Sequence, residues 1–122
     1  MRYLLLLYSA PDAGPEPHSS EAMAEMKEWY ALTQELVDAG AMLGGEALHG
    51  VDSATTVRVR DGKTVSTDGP FAETKELLGG YYAIDVENLD AAVEWAAKIP
   101  SAPYGSVEIR PIMELPPAPP DA

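Results

Sequence analysis

Cysteine is absent from the 122 residues, which excludes a disulfide framework, a thiol nucleophile and a zinc–thiolate site. Basic residues are scarce: 8 Lys and Arg stand against 20 Asp and Glu, a formal net charge of −12. Phosphate backbones are held by a basic stripe, so no nucleic-acid partner is expected. Imidazole is limited to His18 and His49, and Phe71 is the single phenylalanine. No apolar run approaches the roughly twenty residues that span a bilayer, so no membrane partner is expected either. There is no Gly-Lys-Ser/Thr phosphate loop, no GxGxxG after a strand and no HExxH, so neither a cofactor nor a metal is expected. Asp68, Glu73 and His49 lack the spacing of a metal site.

What is present suits one folded domain. Hydrophobic residues make up 46% of the chain, enough for a core at this length but with little room for a second one. Met1-Arg2 followed by Tyr3 to Ala10 superficially resembles a short signal peptide. Four leucines between two tyrosines suit a buried strand better, and the protein is expected to be cytoplasmic. The domain should occupy residues 1–114. From Leu115 the chain has four prolines in eight residues and reads as an extended tail.

Between these limits the periodicity alternates. After a proline-containing loop, Ser19 or Ser20 is placed to cap a helix, and Ala22, Met26, Trp29, Thr33 and Leu36 form one apolar stripe along it. Gly40 supplies the left-handed stop. Ala41 to Gly45 is a short strand, Thr55 to Arg60 a strictly alternating one, and Asp61-Gly62 a two-residue hairpin turn leading back through Lys63 to Thr67. Tyr81 to Val86 is the next strand. Asn88 caps a second helix with Leu89, Ala92, Val93 and Ala96 on one face, and Ser106 to Met113 is the last strand. Without its hairpin, this order is a ferredoxin-like split βαβ arrangement of the α+β class, with both helices on one face of a sheet. The open face should carry several of Leu4 to Leu7 and one set from Tyr82, Ile84 and Val86. An apolar face of that size invites a partner, and a charge at Ile84 would then test the pairing.

The segment Asp68-Gly69-Pro70-Phe71-Ala72-Glu73-Thr74-Lys75-Glu76 places four charges, a turn and an aromatic ring in nine residues. A Gly-Pro step cannot continue a ladder, so the chain turns at Asp68 and sets carboxylates at the rim of the sheet. Together with Leu78-Gly79-Gly80-Tyr81-Tyr82, the segment resembles the YCII-related family, in the subgroup marked by Asp-Gly-Pro-Phe. A weaker match runs from Tyr3-Leu4-Leu5-Leu6-Leu7-Tyr8 to Val107-Glu108-Ile109-Arg110-Pro111. The resemblance implies two sheets packed face to face as a dimeric α/β barrel, hence a homodimer. It also implies a histidine in the first helix beside an aspartate as a catalytic pair. Here that helix reads Glu25-Met26-Lys27-Glu28-Trp29-Tyr30, so any acid–base chemistry falls to carboxylates or to His49.

Two roles fit Asp68. Its carboxylate accepts hydrogen bonds from its own turn and fixes the bend, or it faces a pocket as a base or anchor. Two close carboxylates raise one pKa toward neutrality, which makes Glu76 a second catalytic candidate, with Glu73 and Lys75 alongside as substrate contacts. His49 is the third catalytic candidate, because the loop after Gly44-Gly45 can approach the signature segment. Phe71 plugs the loop onto the core or stacks on a ligand. Tyr81 offers a hydroxyl, and Arg110 serves either as an ion-pair partner of a signature carboxylate or as a fork for an anionic substrate. These residues fit a small acid–base enzyme of isomerase or lyase type, acting on a small metabolite in a cleft beside the signature loop. The alternative is a non-catalytic ligand-binding or accessory protein of the kind the family links to alternative sigma factors and stress responses. A structural dimer whose loop only braces the interface is the third class.

Overall fold

The computed structural model describes residues 1–72 and 74–121. Among the described residues six strands and two helices follow one another as β1 (Arg2–Ser9), α1 (Ser20–Asp38), β2 (Met42–Ala47), β3 (Thr55–Arg60), β4 (Lys63–Asp68), β5 (Leu77–Asp85), α2 (Leu89–Ala97) and β6 (Ser106–Pro111). A single 3₁₀ turn, Val51–Ser53, precedes β3. Four strands form an antiparallel sheet in the order β2-β5-β1-β6, and β3 and β4 form a separate two-stranded hairpin. This is the expected split βαβ sheet with an added hairpin.

Local chemistry places most element ends. The Ser19 hydroxyl accepts from the Ala22 N–H at 3.1 Å and opens α1, as an N-cap should. Gly40, at φ +70, ends it. Asn88 Oδ1 accepts from the Ala91 N–H at 2.9 Å and opens α2. In the β3–β4 turn Asp61 and Gly62 both have positive φ, 52 and 73, the requirement of a type I′ hairpin. Two strands are longer than the sequence pattern implies. β5 begins at Leu77, before the Gly79-Gly80 pair, and β2 runs on to Ala47. Glycines weaken a strand signal, yet here they let the two strands approach. A Cβ on Gly80 would sit 2.8 Å from the Glu46 carbonyl oxygen, and one on Gly45 2.8 Å from that of Tyr81.

The core lies between the sheet and the helices, where Tyr3, Leu5 and Leu7 of β1 meet Tyr82 and Ile84 of β5, Leu32 and Leu36 of α1, Ala92 and Ala96 of α2, and Ile99. Two expectations are corrected by this packing. Tyr82 and Ile84 point at the helices, and Ile84 is completely buried there; the open face takes Leu4, Leu6, Tyr81 and Ala83 instead. Strand side chains alternate in direction, so the register Leu4↔Ala83 and Leu6↔Tyr81 fixes which set lies out. On α2, Ala92 and Ala96 are buried while Leu89 and Val93 are half exposed. The small residues thus form the contact and let the helix lie close.

Candidate functional site

The signature segment follows β4. Its turn is held by the backbone and by Thr56: the Gly69 N–H donates to the Ala54 carbonyl at 2.7 Å, and the Thr56 hydroxyl donates to the Gly69 carbonyl at 2.7 Å. Gly69 takes φ +99, a left-handed value open to glycine. Asp68, the last residue of β4, is exposed beside this turn. The Glu76 carboxylate turns back to the sheet end and accepts from the Ser106 hydroxyl at 2.7 and 2.9 Å, while the Thr74 hydroxyl donates to the Glu76 carbonyl. Lys75 is exposed. Glu73 lies outside the described residues.

A cleft of about 780 Å³ separates the signature loop from the segment between β2 and β3. His49, Phe71, Tyr8, Thr56 and Leu78 are among its lining residues, so segments distant in sequence bring an imidazole, an aromatic ring and a phenol to one place. Phe71 is 79% exposed; it stands at the cleft wall and is not a plug in the core. No carboxylate or lysine lines this cleft among the described residues.

Tyr8 connects the cleft to the open sheet face. Its hydroxyl donates to Glu108 Oε1 at 3.4 Å, and its pKa is raised, first by desolvation, then by the negative charge of Glu108 and that hydrogen bond, against an opposing influence from Arg110. Arg110 pairs with Leu4 across β1 and β6 and so shares the open face with Glu108. The ion pairs among the described residues are Met1 with Asp85, Arg2 with Glu114 and Lys98 with Glu35; none joins Arg110 to the signature loop. The described residues also hold no cluster of three or more potential metal ligands.

A second cavity, of about 640 Å³, opens between the sheet and the middle of α1, and Tyr8 lines both it and the first cleft. Trp29, Tyr30, Met26, Tyr82 and Tyr104 line it together with Gly45, Gly79 and Gly80. The Trp29 and Tyr82 rings stack with centroids 6.4 Å apart, and the Tyr82 and Thr33 hydroxyls are 2.8 Å apart. Tyr81 borders this cavity and not the His49 cleft. Sequence patterning missed it: Met26 occupies a stripe position yet is 54% exposed, and Tyr30 beside it is 73% exposed. A stripe residue followed by glycine-rich strands was the available signal.

The comparisons agree with this architecture. A solved structure, the 5-chloro-2-hydroxyhydroquinone dehydrochlorinase of Burkholderia phenoliruptrix AC1100 in complex with 2,5-dihydroxybenzoquinone, superposes with a TM-score of 0.51. At 12% identity over 93% of this chain and 94% of that one, it supports the fold alone. An uncharacterized protein of Rhizobium meliloti (strain 1021) is 35% identical over 114 residues, 92% of each chain. The YCII-related domain model matches residues 1–116, and the chain therefore belongs to the YCII-related family.

Proposed function

We propose that the chain is a small acid–base enzyme of isomerase or lyase type, working in the cleft beside the Asp-Gly-Pro-Phe loop. The observation that carries this reading is the convergence of His49, Phe71 and Tyr8 on one cleft. Neutral imidazole is the side chain best matched to proton transfer near pH 7. His49 removes a proton next to an electron-withdrawing group of the substrate. The imidazolium then returns it at another carbon, or a leaving group departs with the electron pair. Phe71 covers the ligand ring. The solved neighbour's title names a dehydrochlorinase, an elimination that begins with a base, and this adds weight by analogy of fold. Replacing His49 with Gln should lower turnover of a responsive small carbonyl or haloaromatic compound by about 10²–10⁴-fold. Turnover that survives the change removes His49 from the reaction.

One observation favours a second reading, a non-catalytic ligand-binding or accessory protein in a sigma-factor-linked stress response. Among the described residues no carboxylate lines the cleft to orient the imidazole: Glu76 is engaged by Ser106, and Asp68 is exposed at the end of β4. In that reading Asp68 and Lys75 present charge at the loop surface, and Arg110 sits on the sheet face. Saturable binding in the cleft with no turnover of any bound compound would establish it.

The working unit is a homodimer formed through the open sheet face, the barrel arrangement of the family. Leu4, Leu6, Ala83 and Tyr81 present an apolar centre there, flanked by Glu108 and Arg110, and water-exposed apolar patches of that kind mark interaction sites. Light scattering should give twice the 13.0 kDa chain mass, and Leu6→Glu should return the mass to that of one chain. A wild-type chain that stays monomeric at micromolar concentration overturns the barrel. No helix among the described residues is long and apolar enough to cross a membrane, which is compatible with a cytoplasmic location.

A further inference from the structure

The β3–β4 hairpin stands away from the body of the protein. It makes no extended contact with the four-stranded sheet or with either helix, and every residue of β4 is exposed. A two-stranded hairpin alone in water is at best marginally stable, so this one gains from any strand added to it. Its register sorts the side chains into two unlike faces. Arg58 lies opposite Val65 and Arg60 opposite Lys63, which puts three cations on one face. Val57 and Val59, 59% and 60% exposed, lie on the other face with Ser66 and Thr64. Three of the 8 basic residues thus share one hairpin face in a chain of net charge −12. The ion pairs among the described residues involve none of the three.

The backbone of the hairpin is open as well. Where two residues close a hairpin, the flanking pair, here Arg60 and Lys63, exchanges both ladder hydrogen bonds. Every second residue then turns its N–H and carbonyl outward. The bond from the Gly69 N–H to the Ala54 carbonyl continues the same alternation one pair beyond Thr55 and Asp68. Val57 and Val59 therefore direct their backbone groups out of the free edge of β3, where no other strand pairs. Unpaired edge groups are a template for an added strand.

Charge selects what that strand carries. Residues of a strand laid along β3 fall alternately beside Arg58 and Arg60 on one face and beside Val57 and Val59 on the other. A second copy pairing there edge to edge would set arginine against arginine, which is unfavourable. A nucleic acid carries its charge past the hairpin, toward a body that holds the acidic excess. A short segment with both acidic and apolar residues meets neither obstacle.

We propose that the free edge of β3 is a docking site for an extended segment of another protein in which acidic and apolar residues alternate. The acidic residues meet Arg58 and Arg60, with Lys63 behind them. The apolar ones cover Val57 and Val59, and backbone hydrogen bonds continue the sheet. The docking needs neither His49 nor the open face of the four-stranded sheet.

The test titrates a blocked octapeptide of alternating Val and Glu into the full chain and follows the backbone amide signals. Val57 and Val59 should shift saturably, and their hydrogen exchange should slow. Raised salt should weaken the binding several-fold. An octapeptide of alternating Val and Lys should not bind. Arg58→Gln combined with Arg60→Gln should lower affinity about tenfold or more. Because that double variant also alters the hairpin, the wild-type chain is titrated with the Val-Glu peptide methylated at every backbone nitrogen, which should not bind. Absence of a saturable shift at Val57 and Val59, equal binding of the Val-Lys peptide, tighter binding of an oligothymidylate, or binding that survives either the arginine replacements or the methylation overturns the proposal. So does protection of the Val57 and Val59 amides that grows with concentration of the chain alone, which would assign the edge to a second copy.

Discussion

The two ends of the four-stranded sheet are made by the same strands and covered by the same helix, yet one is solid and the other hollow. At the solid end Tyr3 and Ile84 stand side by side in the core, with Met42 beside them at the margin of the cavity. At the hollow end the corresponding row is Leu7, Gly80 and Ala47, and the helix presents Trp29, Met26 and Tyr30 to open space. Folding free energy comes from the filled rows, where apolar surface is removed from water and every methylene finds contacts. The hollow end gives up such contacts and gains a cavity. The chain thus separates packed core from open cavity by grading side-chain size along two strands, with no change of secondary structure.

The largest test of this contrast is truncation at the solid end. Leu5 is completely buried, and Leu5→Ala should cost about 2–5 kcal/mol in chemical denaturation, as for other leucines removed from packed cores. A cost below about 1 kcal/mol would mean that the filled rows are not the stabilising part. Next comes the joint between the two ends. Thr33→Val removes the partner of the Tyr82 hydroxyl and should cost about 0.5–1.5 kcal/mol, with a change in the near-ultraviolet signal of the stacked Trp29 and Tyr82. At the hollow end, Ala47→Phe adds a large side chain and should still leave stability within about 1 kcal/mol of wild type, or raise it by filling space. A strong destabilisation there would show that the row is packed after all.

The smallest effect belongs to neither end. Arg2 grips Glu114 with two hydrogen bonds of 2.7 Å. That hydrogen bond first, and the guanidinium charge with it, hold the Glu114 carboxyl below the usual range. A carboxyl lowered in the folded state contributes stability above its unfolded range, and the contribution is lost as pH falls through the lowered folded value. Melting temperature measured against pH should therefore separate wild type from Glu114→Gln only slightly above that window, and the two should converge below it. Removal of residues from Leu115 onward should leave the curve unchanged, because the ties to the body, Ile112 N–H to the Arg2 carbonyl and Arg2 to Glu114, lie before it.

Much of the architecture was legible from local chemistry. Ser19, Gly40, Asp61-Gly62 and Asn88 mark turns and caps through their own backbones and side chains, and each stands where its chemistry requires. The candidate site was legible only in pieces. His49 and Phe71 share a cleft, but Asp68 is exposed and does not line it, Glu76 is tied to Ser106, and Tyr81 borders a different cavity. Charge and loop position mark residues that tend to be functional, but not the direction in which a side chain leaves the turn.

The sequence by itself determined the order of elements, their caps and turns, and the family, since periodicity and turn propensity act over a few residues. Tertiary structure decided which strand face looks inward. Bulges between Leu7 and Tyr8 and between Met42 and Gly44 shift the pairing register, and a shift of one residue exchanges the two faces of a strand. Away from those bulges β5 runs in unbroken register with β1, and the pairing of Ile84 with buried Tyr3 makes Ile84 core and leaves Ala83 on the open face. The cavity under α1 likewise exists only once Leu7, Ala47 and Gly80 lie in one row, because an empty space is defined by neighbours far apart along the chain.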